Sequence, residues 1–157
     1  MTTDRGDLEA LKYRYLRALD TKQWDEFESC FVPDATGDYD GLEFADRAEL
    51  VTYMRENLGD EMVTMHHVHH PEITVDGDSA RMRWYLHDKV IVASLGFLLE
   101  GAAFYDDRCV RTPQGWRFSH TGYRRTYETT MDLADVPSFR VKTKGPDLPA
   151  QDHKPSE

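Results

Sequence analysis

Cysteine is scarce in this chain. The 157 residues hold two, Cys30 and Cys109, and they share no motif. Two isolated thiols build neither a disulfide framework nor a cysteine-based metal site, so both read as reduced, core-filling residues. Long hydrophobic runs are also missing: no stretch approaches the roughly 18 apolar residues of a membrane-spanning helix. The first residues, Met-Thr-Thr-Asp-Arg-Gly-Asp, lack the apolar core of a secretory signal, and a cytoplasmic location is expected. Positive charge is short as well. Nineteen Lys and Arg stand against 29 Asp and Glu, a net charge of -10. Nucleic acid and anionic membrane both need a basic surface, so neither is expected as a partner. No glycine-rich phosphate loop is present, and no internal repeat.

The chain does have aromatics: three Trp, eight Tyr and seven Phe, enough for one domain with a real core. Residues 7–19 read as an amphipathic helix, with Leu8, Leu11, Tyr15, Ala18 and Leu19 on one stripe and Asp20 at its end. A short helix runs from Trp24 with Phe27 and Phe31 on its face, and Pro33-Asp34 breaks it. Asp46 begins a third helix, with Glu49 completing a capping box. The pattern then changes to period two. Strands are expected at about 62–69, 71–76, 80–93, 98–111 and 116–128, with turn signals at Asp76-Gly-Asp78 and Thr112-Pro-Gln-Gly115. Three helices followed by a strongly curved antiparallel sheet is an α+β arrangement, and such a sheet wrapped around a helix leaves a conical, mostly apolar cavity. The expected domain is 1–137. Residues 138–157, rich in Lys, Asp and Pro, read as a polar tail that is mobile or lies across a neighbour.

One strand carries the sharpest signal. In residues 82–92 one face holds Met82, Trp84, Leu86, Asp88, Val90 and Val92. A lone carboxylate on an apolar face costs several kcal/mol unless paired. Asp88 is therefore either a structural carboxylate satisfied by His or Arg, or a carboxylate lining a cavity beside a catalytic base. His66, His67, His69 and His70 cluster in the first strand. A metal site is one reading, although a strand sends His66 and His67 to opposite faces. A surface or packing role suits His67 and His70. His66 shares its face with Thr64 and Val68, and a neutral imidazole on a cavity wall is a candidate base. Tyr15, inside the helical stripe, is either core or an oxyanion donor. Asp20 is a solvated turn residue or faces the cavity mouth. Arg125 shares a face with Ser119, Thr121, Tyr123 and Tyr127, which suits solvent or a polar patch of the cavity wall.

Taken together, Ala18-Leu-Asp-Thr-Lys-Gln-Trp-Asp25 and Gly115-Trp-Arg-Phe-Ser-His-Thr-Gly-Tyr123 resemble the SnoaL-like branch of the nuclear transport factor 2-like superfamily, a cystatin-like cone with scytalone dehydratase among its relatives. Five further segments are similar to the bile acid 7α-dehydratase family within it: residues 15–20, 65–73, 83–88, 101–105 and 121–128. By motif, the family's catalytic positions fall on Tyr15, Asp20, His66, Asp88 and Arg125. The resemblance implies cofactor-independent dehydration of a steroid-like or polycyclic hydroxy-ketone. His66 would be the base, Asp88 its orienter, Tyr15 the acid or oxyanion donor, and Asp20 and Arg125 the rest of the polar network. No cofactor and no metal are expected. The resemblance leaves open whether coenzyme A is attached to the substrate. Residues 92–99 depart from the family, being shorter and more apolar, which leaves the substrate open too. A ketosteroid-type isomerase or cyclase, and a non-catalytic hydrophobic-ligand-binding protein, are the rival readings. Large side chains on the outer sheet face, Tyr85 and Phe104 or Tyr105, suggest a homo-oligomer; the resemblance favours a trimer over a dimer.

Overall fold

Local chemistry starts each element. In the computed structural model, which describes residues 3–143, the Thr3 hydroxyl accepts the Gly6 N–H at 3.2 Å and caps helix α1 (Asp4–Asp20). Asp4 and Asp7 in its first turn suit the positive end of the helix dipole. The helix thus begins three residues before the start at residue 7 that its apolar stripe indicates. Helix α2 (Trp24–Ser29) is a single short segment. Phe31, expected on its face, instead opens strand β1 (Phe31–Tyr39). Asp40 and Gly41, both at positive φ, turn the chain into β2 (Leu42–Phe44). Asn-Gly and Asp-Gly pairs suit such two-residue turns because both positions need a left-handed backbone. Helix α3 (Arg47–Asn57) is capped by Asp46, whose carboxylate accepts the Glu49 N–H, while Glu49 reaches back to the Ala45 N–H.

Four long strands follow: β3 (Met62–Asp76), β4 (Ser79–Val92), β5 (Phe97–Thr112) and β6 (Gly115–Asp132). The sheet order is β2-β1-β6-β5-β4-β3. All neighbours are antiparallel except β1 and β6, which run parallel. The sheet is therefore mixed, a detail the period-two pattern from residue 62 onward does not show because β1 lies before it, where a helix and its break were expected. The two expected strands at 62–69 and 71–76 are one strand. The pairing jumps between His69 and Glu72, where His70 and Pro71 lie opposite the single residue Trp84, and His70 at φ 50° accommodates the one extra residue as a bulge.

The sheet curls around α1. Leu8, Leu11, Tyr15, Leu16, Ala18 and Leu19 from the helix meet Met82, Trp84, Leu86, Ala103, Tyr105 and Phe118 from the strands in one buried cluster. Bulges keep the inward face apolar along β6. Its inward residues are Trp116 and Phe118, then Thr121 and Tyr123, and the phase changes because Ser119 has no partner between His120 and Phe118. No described helix is long and apolar enough to cross a membrane. Of the expected tail, residues 138–143 continue as coil, with Val141 and Thr143 beside Val63 and Ile91; the remainder lies outside the described residues.

Candidate active site

Asp20 is the last residue of α1, where the helix dipole disfavours a carboxylate. Its hydrogen bonds offset that cost. Oδ1 accepts the Thr64 hydroxyl at 2.8 Å and His66 Nδ1 at 2.6 Å; Oδ2 accepts the His66 backbone N–H at 2.9 Å. Lys22, at φ 56°, donates to the Met62 carbonyl at 2.7 Å and ties the end of the helix to β3. A carboxylate only accepts, so His66 Nδ1 carries a proton, and in the neutral imidazole Nε2 then keeps its lone pair. Nε2 has no hydrogen-bond partner among the described residues. The imidazole is largely buried and lines the inner cavity. A fixed tautomer with a free Nε2 is the arrangement of a general base.

Asp88 faces His66 directly across the β3–β4 ladder, but its side chain is taken elsewhere. Arg125 holds it in a two-pronged bond, Nη1 to Oδ1 at 2.6 Å and Nη2 to Oδ2 at 2.8 Å. Arg125 Nε also meets Glu128 at 3.0 Å. Asp88 is 2% exposed, so its partner is needed. Asp20, not Asp88, is the carboxylate bonded to His66; the orienting role assigned to Asp88 from the sequence moves to Asp20. The Asp88 partner raises the Arg125 pKa further above its already high value and outweighs the lowering effect of burial.

Tyr15 is fully buried, and its hydroxyl lies 2.6 Å from that of Tyr39. Tyr105 packs edge-on against Tyr15, and Tyr123 stacks on Tyr39. Behind this wall Lys12 and Asp107, both without solvent exposure, meet at 2.7 Å. Thr121 donates to the other Asp107 oxygen at 2.7 Å, and the ammonium sits 3.2 Å from the centre of the Tyr105 ring. Burial pushes Lys12 down and Asp107 up from their ordinary values. It pushes Tyr15, Tyr39 and Tyr105 well above the usual phenol range. Fewer than all eight tyrosines are therefore expected to ionise in a spectrophotometric titration before alkaline unfolding, these three being the ones withheld. The folded pKa values are raised above the unfolded value of 10.0. Their contribution to stability is thus complete below that pH and is lost as pH rises past it. Urea midpoints should fall between about pH 9 and about pH 11; a flat profile would contradict the burial of these phenols.

The cavity between these groups measures about 220 Å³. Tyr15, Tyr39, Tyr105 and Tyr123 wall it, Leu19, Met54, Leu58 and Val90 fill the apolar sides, and His66, Asp88 and Arg125 supply polar groups. Tyr15, His66, Asp88 and Arg125 thus line one cavity, with Asp20 behind His66. His67, His69 and His70 are exposed, and among the described residues no group of three His, Cys, Asp or Glu is placed to hold a metal ion. Sequence reasoning missed Tyr39, Lys12 and Asp107. Of the outer-face pair, Phe104 is the exposed member, stacked on Tyr85 at 4.6 Å, while Tyr105 faces the cavity.

Comparison with known proteins identifies the family and the fold. An uncharacterized protein of Mycobacterium tuberculosis and its counterpart in Mycobacterium bovis are each 31% identical over 118 residues, covering 73% of this chain and 80% of theirs. Three solved structures share the fold. A Kribbella flavida protein has a TM-score of 0.72 at 23% identity, covering 80% of this chain and 93% of its own. A provisional scytalone dehydratase of Novosphingobium aromaticivorans has a TM-score of 0.71 at 20% identity, covering 92% and 93%. A hexachlorocyclohexane dehydrochlorinase of Novosphingobium barchaimii has a TM-score of 0.72 at 17% identity, covering 81% and 89%. Residues 1–122 match the SnoaL-like domain, and the chain belongs to that family, within the nuclear transport factor 2-like superfamily.

Proposed function

We propose that this protein is a cofactor-independent lyase that eliminates water from a hydroxy-ketone built on rings. The observation that carries the reading is the Asp20–His66 pair, bonded through Nδ1, with His66 lining an aromatic cavity that the hydrogen-bonded Tyr15 and Tyr39 also line. His66 Nε2 takes the proton from a carbon acidified by the ketone or its conjugated enone. The electrons of that C–H bond form the new C=C bond. The C–O bond of the neighbouring carbon breaks, and the hydroxyl leaves as water after receiving a proton, which the imidazolium can return. Asp20 holds the imidazole tautomer and stabilises its charged form. Tyr15, bonded to Tyr39, donates to the carbonyl oxygen as negative charge develops there. Asp88 and Arg125 form a neutralised polar wall beside the base. Two of the structural neighbours are described as lyase-type enzymes, a dehydratase and a dehydrochlorinase, which supports the same reaction class.

The cavity also bears on the substrate. Arg125, the cation on its wall, is already bonded to Asp88, which favours an uncharged reacting group. Its volume of about 220 Å³ lies below the roughly 300–1,000 Å³ typical of sites for drug-sized ligands. Polycyclic ketones smaller than a four-ring steroid are therefore favoured, and a steroid requires the mouth to open. The test is absorbance of the conjugated product with ring ketones and 3-keto-4-ene steroids that carry a hydroxyl β to the acidified carbon. Turnover unchanged by EDTA is expected. Isomerised product with no loss of water would support the isomerase reading. Tight binding with neither reaction would replace the lyase by a binding protein. The exposed Tyr85–Phe104 stack extends the proposal to assembly: a second copy covers this face, as a trimer or dimer. Light scattering that returns a single 18.2 kDa species would end that part of the proposal.

A further inference from the structure

We infer that Gly101 is a positioning residue for the proposed site: its missing side chain is what lets Arg125 reach Asp88. The inference rests on the reading of the Asp88–Arg125 pair as part of the active-site wall. Arg125 belongs to β6 and Asp88 to β4, and β5 runs between them. The arginine must therefore span two strand spacings, roughly 10 Å, over the intervening strand. Gly101 is the residue in the way. It is the ladder partner of Asp88 on one side and of Glu128 on the other.

A Cβ at position 101 would lie 2.9 Å from Arg125 Nη1, 2.7 Å from the Tyr127 carbonyl oxygen and 3.3 Å from Glu128 Cα. The first two are closer than carbon approaches nitrogen or oxygen without displacement. Gly101 is not among the glycines at positive φ, so the requirement is for space and not for a special backbone conformation. The surrounding register serves the same end. Ala102 pairs with Tyr127 and Ala103 with Arg125, which leaves Thr126 as the extra residue of a bulge. The Thr126 hydroxyl donates to the Ala102 carbonyl at 3.2 Å and holds the bulge against β5. Such bulges re-aim side chains next to functional sites. Bulge and glycine together turn Arg125 inward and clear its path.

A purely structural alternative exists, since the Tyr127 carbonyl also approaches Gly101. A double-mutant cycle separates the two. Gly101→Ala is expected to raise the unfolding constant in urea about tenfold or more, and a crystal structure of the variant should show the guanidinium displaced from Asp88. In an Arg125→Lys background the same glycine substitution should cost at least about threefold less, because lysine has no Nη1 to collide. On a substrate found in the assay above, Gly101→Ala should lower kcat to about the level of Arg125→Lys, and the double variant should be no worse than either. Equal losses of stability in the two backgrounds would overturn the inference in favour of simple strand packing. Coupled stability losses with wild-type kcat in Gly101→Ala would also overturn it, because the pair would then play no part in turnover. The stability cycle and the structure need no substrate, so a failed dehydration assay leaves them decisive about Gly101 and counts only against the enzymatic reading.

Discussion

Replacing Lys12 by methionine is expected to destabilise the protein by about 3–5 kcal/mol, the usual cost of removing one partner of a buried ion pair. Methionine has nearly the same length and fills the same space, so the loss is electrostatic and not a cavity effect. It leaves the Asp107 carboxylate at zero exposure with the Thr121 hydroxyl as its remaining donor. It also removes the cation from the faces of Tyr105 and Tyr15, at 3.2 Å and 4.6 Å from their ring centres. For a chain of this length, each kcal/mol shifts the melting temperature by roughly 2–4 °C, so a fall of about 6–20 °C should be visible in a thermal scan. The double variant Lys12→Met with Asp107→Asn should recover a large part of the loss, since it removes the orphaned charge while keeping an oxygen for Thr121. Buried pairs are often dispensable as pairs but not as halves. If the single and double variants melt together, the pair is not electrostatically coupled and the burial shown here contributes through shape alone.

That ion pair also shows where the sequence stops being readable. Asp88 stands out because it interrupts a run of large apolar residues on one strand face, and the structure buries it on that face. The same rule applied to β5 points to Asp107, which alternates with Tyr105 and Cys109. Its mate was invisible. A lysine on an amphipathic helix ordinarily carries its charge out to solvent on a flexible stem, so Lys12 beside Leu8 and Tyr15 reads as a flank of the stripe and not as its centre. The partner of His66 was hidden for a different reason. Asp20 lies 46 residues away at the end of a helix, and only the packing of α1 against β3 decides that it reaches Nδ1 before Asp88 does. Arg125 illustrates a third limit. Strict alternation groups it with Ser119 and Tyr127, but bulges at Ser119 and Thr126 break the period, and inward-facing Thr121, Tyr123 and Arg125 follow from register, which composition does not encode. The helices, the long strands and the α+β class were legible because each rests on periodicity or capping alone. The parallel β1–β6 pairing was not, since it joins segments far apart in sequence.

His66→Ala is expected to retain the fold and to lose about 10²–10⁴-fold in kcat, the worth of a positioned general base. His66 is in the continuously paired stretch of β3 from Met62 to His69, and its backbone N–H bond to Asp20 survives the substitution. The informative comparison is between the two carboxylates. Asp20 accepts the Nδ1 proton, so Asp20→Asn offers an amide that can donate to Nδ1 and turn the free lone pair away from Nε2. The rate should then fall nearly as far as in His66→Ala, by the same loss of tautomer control that follows when the carboxylate of a catalytic triad becomes an amide. Asp88→Asn should act differently. It leaves His66 bonded to Asp20 but leaves the Arg125 guanidinium at a buried wall with a neutral partner, so its main effect is on stability, with a smaller loss of kcat. Circular dichroism and urea melts establish folding for each variant; steady-state kinetics then ranks them. Asp20→Asn turning over at the wild-type rate while Asp88→Asn loses 10²-fold or more would return the orienting role to Asp88, and it would mean that the substrate-bound enzyme rotates His66 across the β3–β4 ladder to a carboxylate it does not touch in the free protein.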